Sequence, residues 1–242
     1  MAARKTLSSG TAGSRSFTFS NPAVVRGARS NVVLLTGFGP FPGVERNASS
    51  ELALDLARRA AERHTSVDFV AAVLPVDWQE GPRRIEDLIG QHRPAVSLHF
   101  GVSSRATGFV IEAHAYNVAT AMPDDSGEIA GSINLVAGDR PRRSATLPVK
   151  RIVQDLRAAG FPAELSSDPG RYLCNAVLYH SLRQAARSSP RLRAGFVHIP
   201  ATLESGVGGA NSLITWPEAI DGGLRMIDTC LMPLRLGDGI LS

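Results

Sequence analysis

The sequence predicts an α/β fold, a single-domain, three-layer sandwich with a mainly parallel twisted sheet and helices on both faces. Three observations predict it. Short runs of Val, Leu and Ile alternate along the chain with longer segments of helical period, the pattern of strands joined by helical crossovers. Several of the runs are apolar at every position, as in strands covered on both faces. The chain has 242 residues, 43% of them hydrophobic, which is enough to bury one full core.

The first thirty residues stand apart. They are rich in Ser, Gly, Ala and Arg, have no apolar period, and carry Arg4, Lys5, Arg15, Arg26 and Arg29 with no acidic residue. They are expected to form a disordered basic extension, 1–30. An acid-free Arg/Ser leader also suits an organelle targeting segment, a solvated tail or translation from an upstream start codon. Without those five basic residues, 21 of the 26 remain against 22 acidic ones, so the folded part is close to neutral. A nucleic-acid surface shows as a basic stripe on the folded part, and none is evident, so no nucleic-acid partner is expected.

From Asn31 the elements follow in order. Val32-Val33-Leu34-Leu35 reads as a buried strand that stops at the Gly- and Pro-rich stretch Thr36–Gly43. Asn47-Ala48-Ser49-Ser50-Glu51 supplies capping residues for a helix whose Leu and Ala spacing runs from Glu51 to Arg63. Val67–Leu74 reads as a strand closed by Pro75, Trp78–His92 as a helix, and Ala95–Phe100 as a strand entering Gly101. Gly108–Tyr116 reads as one further strand. Met122–Gly131 is a polar turn region, and Leu135–Arg143 has no period and reads as loop. Pro148–Ala159 is helical, with Gly160 placed as its C′ residue. A short strand Ala163–Ser166, a helix Tyr172–Ala186, a strand Arg193–Ile199 and a helix Pro217–Leu231 complete the pattern. In such sheets, sites gather beyond the carboxyl ends of strands. The loops after Leu35, Phe100 and Ile199 all lie there.

Two segments carry the chemistry. Gly170-Arg171-Tyr172-Leu173-Cys174-Asn175 places one of only two cysteines just after a glycine turn, and Gly195-Phe196-Val197-His198-Ile199-Pro200 ends an apolar run on a histidine. An imidazole near a thiol can hold it as the nucleophilic thiolate. A lone cysteine in an apolar segment is more often buried filler than nucleophile, so these segments alone leave both readings open. His64, His92, His99, His114 and His180 have no comparable context and are expected to be surface or packing residues. Two cysteines are too few for a disulfide framework and no secretory apolar region precedes them, which fits a reducing compartment. No apolar run is long enough to span a membrane. No His/Cys cluster has metal-ligand spacing, and no phosphate loop or dinucleotide fingerprint occurs, so neither metal nor organic cofactor is expected.

Three collinear segments together resemble the pyroglutamyl peptidase I (pyrrolidone carboxyl peptidase) family of cysteine peptidases, C15. They are Leu34–Phe41 with Asn47; Gly101-Val102-Ser103 with Glu112, Asn117, Pro123 and Asp124; and Thr146–Val153 followed by the Cys174 and His198 segments. The match runs from about Val32 to Pro200. The resemblance implies a peptidase domain over 31–242, with Cys174 as nucleophile, His198 as general base and Glu112 as the acid that orients the histidine. It implies substrate contacts from Phe38 and Phe41, which flank the lactam ring in the family, and from Asn47, Met122, Tyr172 and Leu173. The implied partners are peptides with an N-terminal pyroglutamate and other copies of the chain, the family commonly forming tetramers. The chain departs from the pattern in three places. Ala121 stands where bacterial members have an arginine, Val102 where the family has a glutamine, and Ser103-Ser104-Arg105 replaces Gly-Gly-Arg. These changes leave the triad untouched and keep two alternatives open, the same triad acting on another small N-acyl or lactam-like amide, and a non-catalytic relative.

Overall fold

The computed structural model describes residues 23–25, 31–41, 43–188, 192–203 and 211–233. Its first half comprises strands β1 (Ala23–Val25) and β2 (Asn31–Phe38), helix α1 (Ala48–Arg63), strand β3 (Val67–Leu74), helix α2 (Glu80–His92) and strand β4 (Val96–Ser103). Then come β5 (Phe109–Glu112), β6 (His114–Tyr116), β7 (Arg142–Ser144), α3 (Val149–Ala158) and β8 (Ala163–Ser166). Helix α4 (Leu173–Arg187), strand β9 (Arg193–Pro200) and helix α5 (Trp216–Leu231) follow.

Seven strands form the main sheet in the order β1-β3-β2-β4-β9-β5-β8, and β6 with β7 form a separate two-stranded ribbon. β3, β2, β4 and β9 run parallel, β5 joins β9 antiparallel, and β8 pairs parallel with β5. The alternation of side chains across each strand sorts the core into two apolar layers. Val33, Leu35, Leu98, Phe100, Val197 and Ile199 face a layer completed by Leu52 and Leu56 of α1, Ile152 and Leu156 of α3, and Ile220 and Ile227 of α5. Leu34, Phe38, Val70, Ala194 and Phe196 face the other layer, with Ile85 and Leu88 of α2 and Val177 and Leu178 of α4. This explains why Val32–Leu35 of β2 is apolar at every position: both faces of the strand are covered, and each fully buried side chain contributes about 1.5–3 kcal/mol of burial.

The predicted three-layer sandwich is present. Three local expectations differ. The stretch read as one strand, Gly108–Tyr116, is two strands in different sheets. It breaks at Ala113, whose N–H turns to the carbonyl of Ser166 at 2.7 Å. An apolar run looks the same whether or not its pairing partner changes midway, so periodicity does not show the break. Arg142–Ser144, at the end of a stretch read as loop, pairs antiparallel with β6. Ala23–Val25, inside the extension read as disordered, pairs antiparallel with β3 along an edge that would otherwise be open. The remainder of 1–30 lies outside the described residues.

Candidate active site

Cys174 owes its position to a turn and a helix start. Gly170 adopts φ 79°, a left-handed conformation that favours glycine, and Tyr172 is the extended residue capping α4. Cys174 is therefore the second residue of the helix, in a first turn that has no acidic side chain. The N–H groups of that turn have no acceptor within the helix and lie at the positive end of its dipole, an environment that favours an anion. Its neighbour Asn175 is fully buried and ties the helix to the β6 segment. The Asn175 side chain accepts from Tyr116 N at 2.8 Å and donates to Tyr116 O at 2.8 Å and Val118 O at 3.0 Å.

His198 comes from β9, on the face that looks toward α4. Opposite it in register are Gly101 of β4 and Val110 of β5. Glu112 lies two residues beyond Val110, on the same face. His198 Nδ1 donates to Glu112 Oε1 at 2.9 Å, and both side chains are buried. The second oxygen of Glu112 is buried with no donor among the described residues, so nothing competes with the imidazole for the carboxylate's charge. Burial alone would pull the His198 pKa down. The charge of Cys174 and its hydrogen bond to the ring, with those of Glu112, outweigh burial and raise the pKa to about 10. The ring is thus held as imidazolium at neutral pH, between a sulfur and a carboxylate.

Gly101 forms the floor beneath the sulfur. A Cβ at this position would lie 3.0 Å from Cys174 Sγ and 2.7 Å from Cζ of Phe196. The Phe196 ring is fully buried and sits 4.9 Å from the His198 ring, centroid to centroid. A side chain at 101 would press on the sulfur and on the ring that packs against His198.

Beside the helix start is an open pocket of about 380 Å³, lined by Phe41, Met122, Pro123, Asp124, Asp125, Gly127 and Tyr172. One indole and one carboxylate order its loop. Trp78 Nε1 donates to Met122 O at 2.9 Å, and Trp78 N donates to Asp124 Oδ2 at 3.1 Å. Asp124 Oδ1 accepts from Ser126 N and Glu128 N, each at 3.0 Å. The Tyr172 ring meets Trp78 edge-on at 5.2 Å and its hydroxyl donates to Pro123 O at 2.9 Å. Burial, then the charges of Asp124, Cys174 and Asp125, push the phenol up to about 12, so it remains a donor.

The structure brings Cys174, His198 and Glu112 together and sets Phe41, Met122 and Tyr172 around the pocket. The other three candidates do not line it. Phe38 is buried against Phe196, with ring centroids 6.4 Å apart. Leu173 is 1% exposed and belongs to the apolar layer under α4. Asn47 caps α1 through Ser49 N at 3.2 Å and donates to Gly39 O at 3.0 Å, ordering the first loop. Val102 packs in the layer on the far side of the sheet from Cys174, because it follows Gly101 and strand side chains alternate. Ala121 is exposed in the pocket loop. Gly101, Asn175, Trp78, Asp124 and Phe196 also build the site, with no role legible for them in the sequence. Asn175 adjoins the cysteine and Gly101 ends an apolar run, but their partners come from other elements. Among the described residues, no group of three or more His, Cys, Asp or Glu side chains is placed to hold a metal ion.

Comparison with known proteins follows the same chain segment. The family model described as pyroglutamyl peptidase matches residues 31–215. The pyrrolidone-carboxylate peptidase of Gloeobacter violaceus is 37% identical over 177 residues, 72% of this chain and 84% of that protein. Pyrrolidone-carboxylate peptidase 1 of Ralstonia nicotianae is 33% identical over 201 residues, 82% of this chain and 92% of its own. The crystal structure of pyroglutamyl peptidase I from Bacillus amyloliquefaciens superposes with TM-score 0.71 at 25% identity, covering 83% of this chain and 96% of that one.

Proposed function

The chain belongs to the pyroglutamyl peptidase family, and we propose that it is a cysteine exopeptidase that hydrolyses the amide bond after an N-terminal pyroglutamyl residue. The observation that carries the catalytic assignment is the buried 2.9 Å contact of His198 with Glu112 on one nitrogen, with Cys174 interacting with the same ring.

The steps follow from that arrangement. The Cys174 thiolate attacks the pyroglutamyl carbonyl, and the first-turn N–H groups of α4 face the developing oxyanion. His198, held by Glu112 with its Nδ1–H fixed, gives its other proton to the departing amine as the C–N bond breaks. The shortened peptide leaves and a thioester remains on Cys174. His198, now neutral, takes a proton from water as the water attacks the thioester. Collapse of that intermediate releases pyroglutamate and restores the thiolate–imidazolium pair. No step requires a cofactor.

The pocket walls of Phe41, Met122 and Tyr172 support a site for a small, flat, uncharged ring. The alternative, another N-acyl or lactam-like amide, rested on Val102 and Ala121. Val102 faces away from Cys174, so Ala121 alone now motivates it. A panel of N-blocked aminocoumarin amides, turned over by wild type and Cys174→Ser, separates the readings. Preference for the pyroglutamyl amide with loss of activity in Cys174→Ser is expected. Preference for another blocking group would select the alternative, and equal rates in both proteins would remove Cys174 as nucleophile. We further infer a cytoplasmic homo-oligomer, a tetramer as in the family, supported by the exposed Leu213 and Met232 near the C-terminal helix. Among the described residues no helix is long and apolar enough to cross a membrane.

A further inference from the structure

A buried polar cluster lies behind the reacting groups, and the mechanism does not use it. His99 of β4 is fully buried. Its Nδ1 lies 2.7 Å from Thr36 Oγ1 of β2, and its Nε2 lies 2.7 Å from Ser181 Oγ of α4 and 3.2 Å from Ser97 Oγ. Burial pushes the ring down to about 3, so it stays neutral and offers one donor and one acceptor to hydroxyl groups that can serve as either.

The placement of these bonds is what matters. His99 is two residues before Gly101 and on the same face of β4. Ser181 is seven residues after Cys174, two turns along the same face of α4. Strand and helix therefore meet at two points, His99 with Ser181 and Gly101 with the Cys174 sulfur. Sheet register is already set by the backbone ladder, in which Thr36 and His99 are direct partners. The helix has no such ladder to the sheet. Its apolar contacts with Phe196 and Ala194 carry no direction along its axis. Its other polar ties, Asn175 to Tyr116 and Val118, the Tyr179 hydroxyl to Arg140 O and His180 to Glu86, run to β6, neighbouring loops and α2, whereas the serine–histidine bond is directional and reaches the main sheet itself.

We propose that His99 and Ser181 are positioning residues, whose hydrogen bond fixes the register of α4 on the sheet and so holds Cys174 Sγ against Gly101 beside His198. This rests on the reading of Cys174 as nucleophile. The test compares Ser181→Ala with Thr36→Val. Ser181→Ala removes the bond to the helix while keeping a strong helix former. Thr36→Val is near-isosteric and strips the same ring of its partner on β2. His99→Asn is a second probe, too short to reach α4. The readouts are kcat and KM on a pyroglutamyl aminocoumarin amide, the iodoacetamide alkylation rate of Cys174 across pH, and Tm.

Ser181→Ala and His99→Asn are expected to lower both kcat and the alkylation rate by about tenfold or more, as misplacement by a fraction of an ångström does, with KM within about twofold. Thr36→Val is expected to lower Tm at least as much as Ser181→Ala while leaving both rates within about twofold, since the helix keeps its bond. Wild-type alkylation rates in Ser181→Ala would overturn the proposal. So would rates in all three variants that simply follow their loss of Tm. A wild-type protein that alkylates rapidly but ignores pyroglutamyl amides would refute the substrate assignment and leave this one standing.

Discussion

Replacing Gly101 by alanine adds one methyl group at the point where strand, helix and aromatic core meet. That carbon would lie 2.7 Å from Phe196 Cζ, 3.0 Å from Phe196 Cε1 and 3.0 Å from Cys174 Sγ. Ordinary carbon–carbon contact is about 3.5–4.0 Å, so the overlap with the ring is roughly 0.8 Å or more. Phe196 has little room to retreat, because it packs on Phe38, His99 and His198. Overpacking of this kind costs about 1–3 kcal/mol. Reduced entropy of the unfolded chain returns about 0.4–1 kcal/mol. The net loss of about 1–2 kcal/mol corresponds to a fall in Tm of about 2–8 °C for a chain of this size. The effect on rate should be larger than the effect on stability. Relief of the clash moves either the sulfur or the ring next to His198, and a shift approaching 1 Å costs about 10²-fold. Turnover of a pyroglutamyl aminocoumarin amide should therefore fall about 10- to 100-fold in kcat/KM, measured on protein shown to be folded by its thermal transition. A Gly101→Ala protein with wild-type kcat/KM and Tm would refute the close approach on which this site geometry depends.

Further outcomes follow from the same contacts. Asn175→Ala leaves one N–H and two carbonyls of the Tyr116–Val118 segment without their partner, and should cost about 2–4 kcal/mol in urea unfolding while lowering kcat/KM. The His198 ring, raised to about 10 in the folded protein against 6.5 for the free side chain, contributes stability that is fully present below pH 6.5 and is lost as pH rises through about 10. Imidazole NMR should show that titration move downward in Cys174→Ala and in Glu112→Gln, each of which removes an anionic neighbour. Burial pushes the Cys230 thiol up to about 12, so iodoacetamide at neutral pH should label Cys174 alone in the native protein and both cysteines after unfolding.

The parts of this protein legible in the sequence are those governed by local pattern. The Val32–Leu35 run of β2 is readable because residues covered on both faces are apolar in succession, and α4 because a glycine turn precedes its helical period. The triad was legible only through collinear resemblance: nothing local to Glu112 distinguishes it from a solvated carboxylate, and its burial against His198 is set by the antiparallel pairing of β5 with β9. The same limit applies to Val102. Its residue type suggested altered specificity, yet one step along a strand turns it to the opposite layer. Phe38, Leu173 and Asn47 stand in motifs that the resemblance links to substrate, and their packing against Phe196, in the layer under α4 and at the start of α1 is set by partners from other elements. The break at Ala113, the polar strand β7 and the edge strand β1 escape pattern reading because they depend on which backbone lies alongside, not on what side chains they carry.

The claim at the centre is that a pyroglutamyl group passes through a covalent bond to Cys174. Rapid acid quenching during turnover of an activated pyroglutamyl ester, followed by mass spectrometry of the intact chain and its peptides, tests this directly. A pyroglutamyl adduct should be found on the peptide containing Cys174, sensitive to hydroxylamine as a thioester is, and should persist longer when Glu112 is replaced by Gln. Turnover with no adduct on that peptide at any quench time, or an adduct on Cys230 instead, would contradict the account.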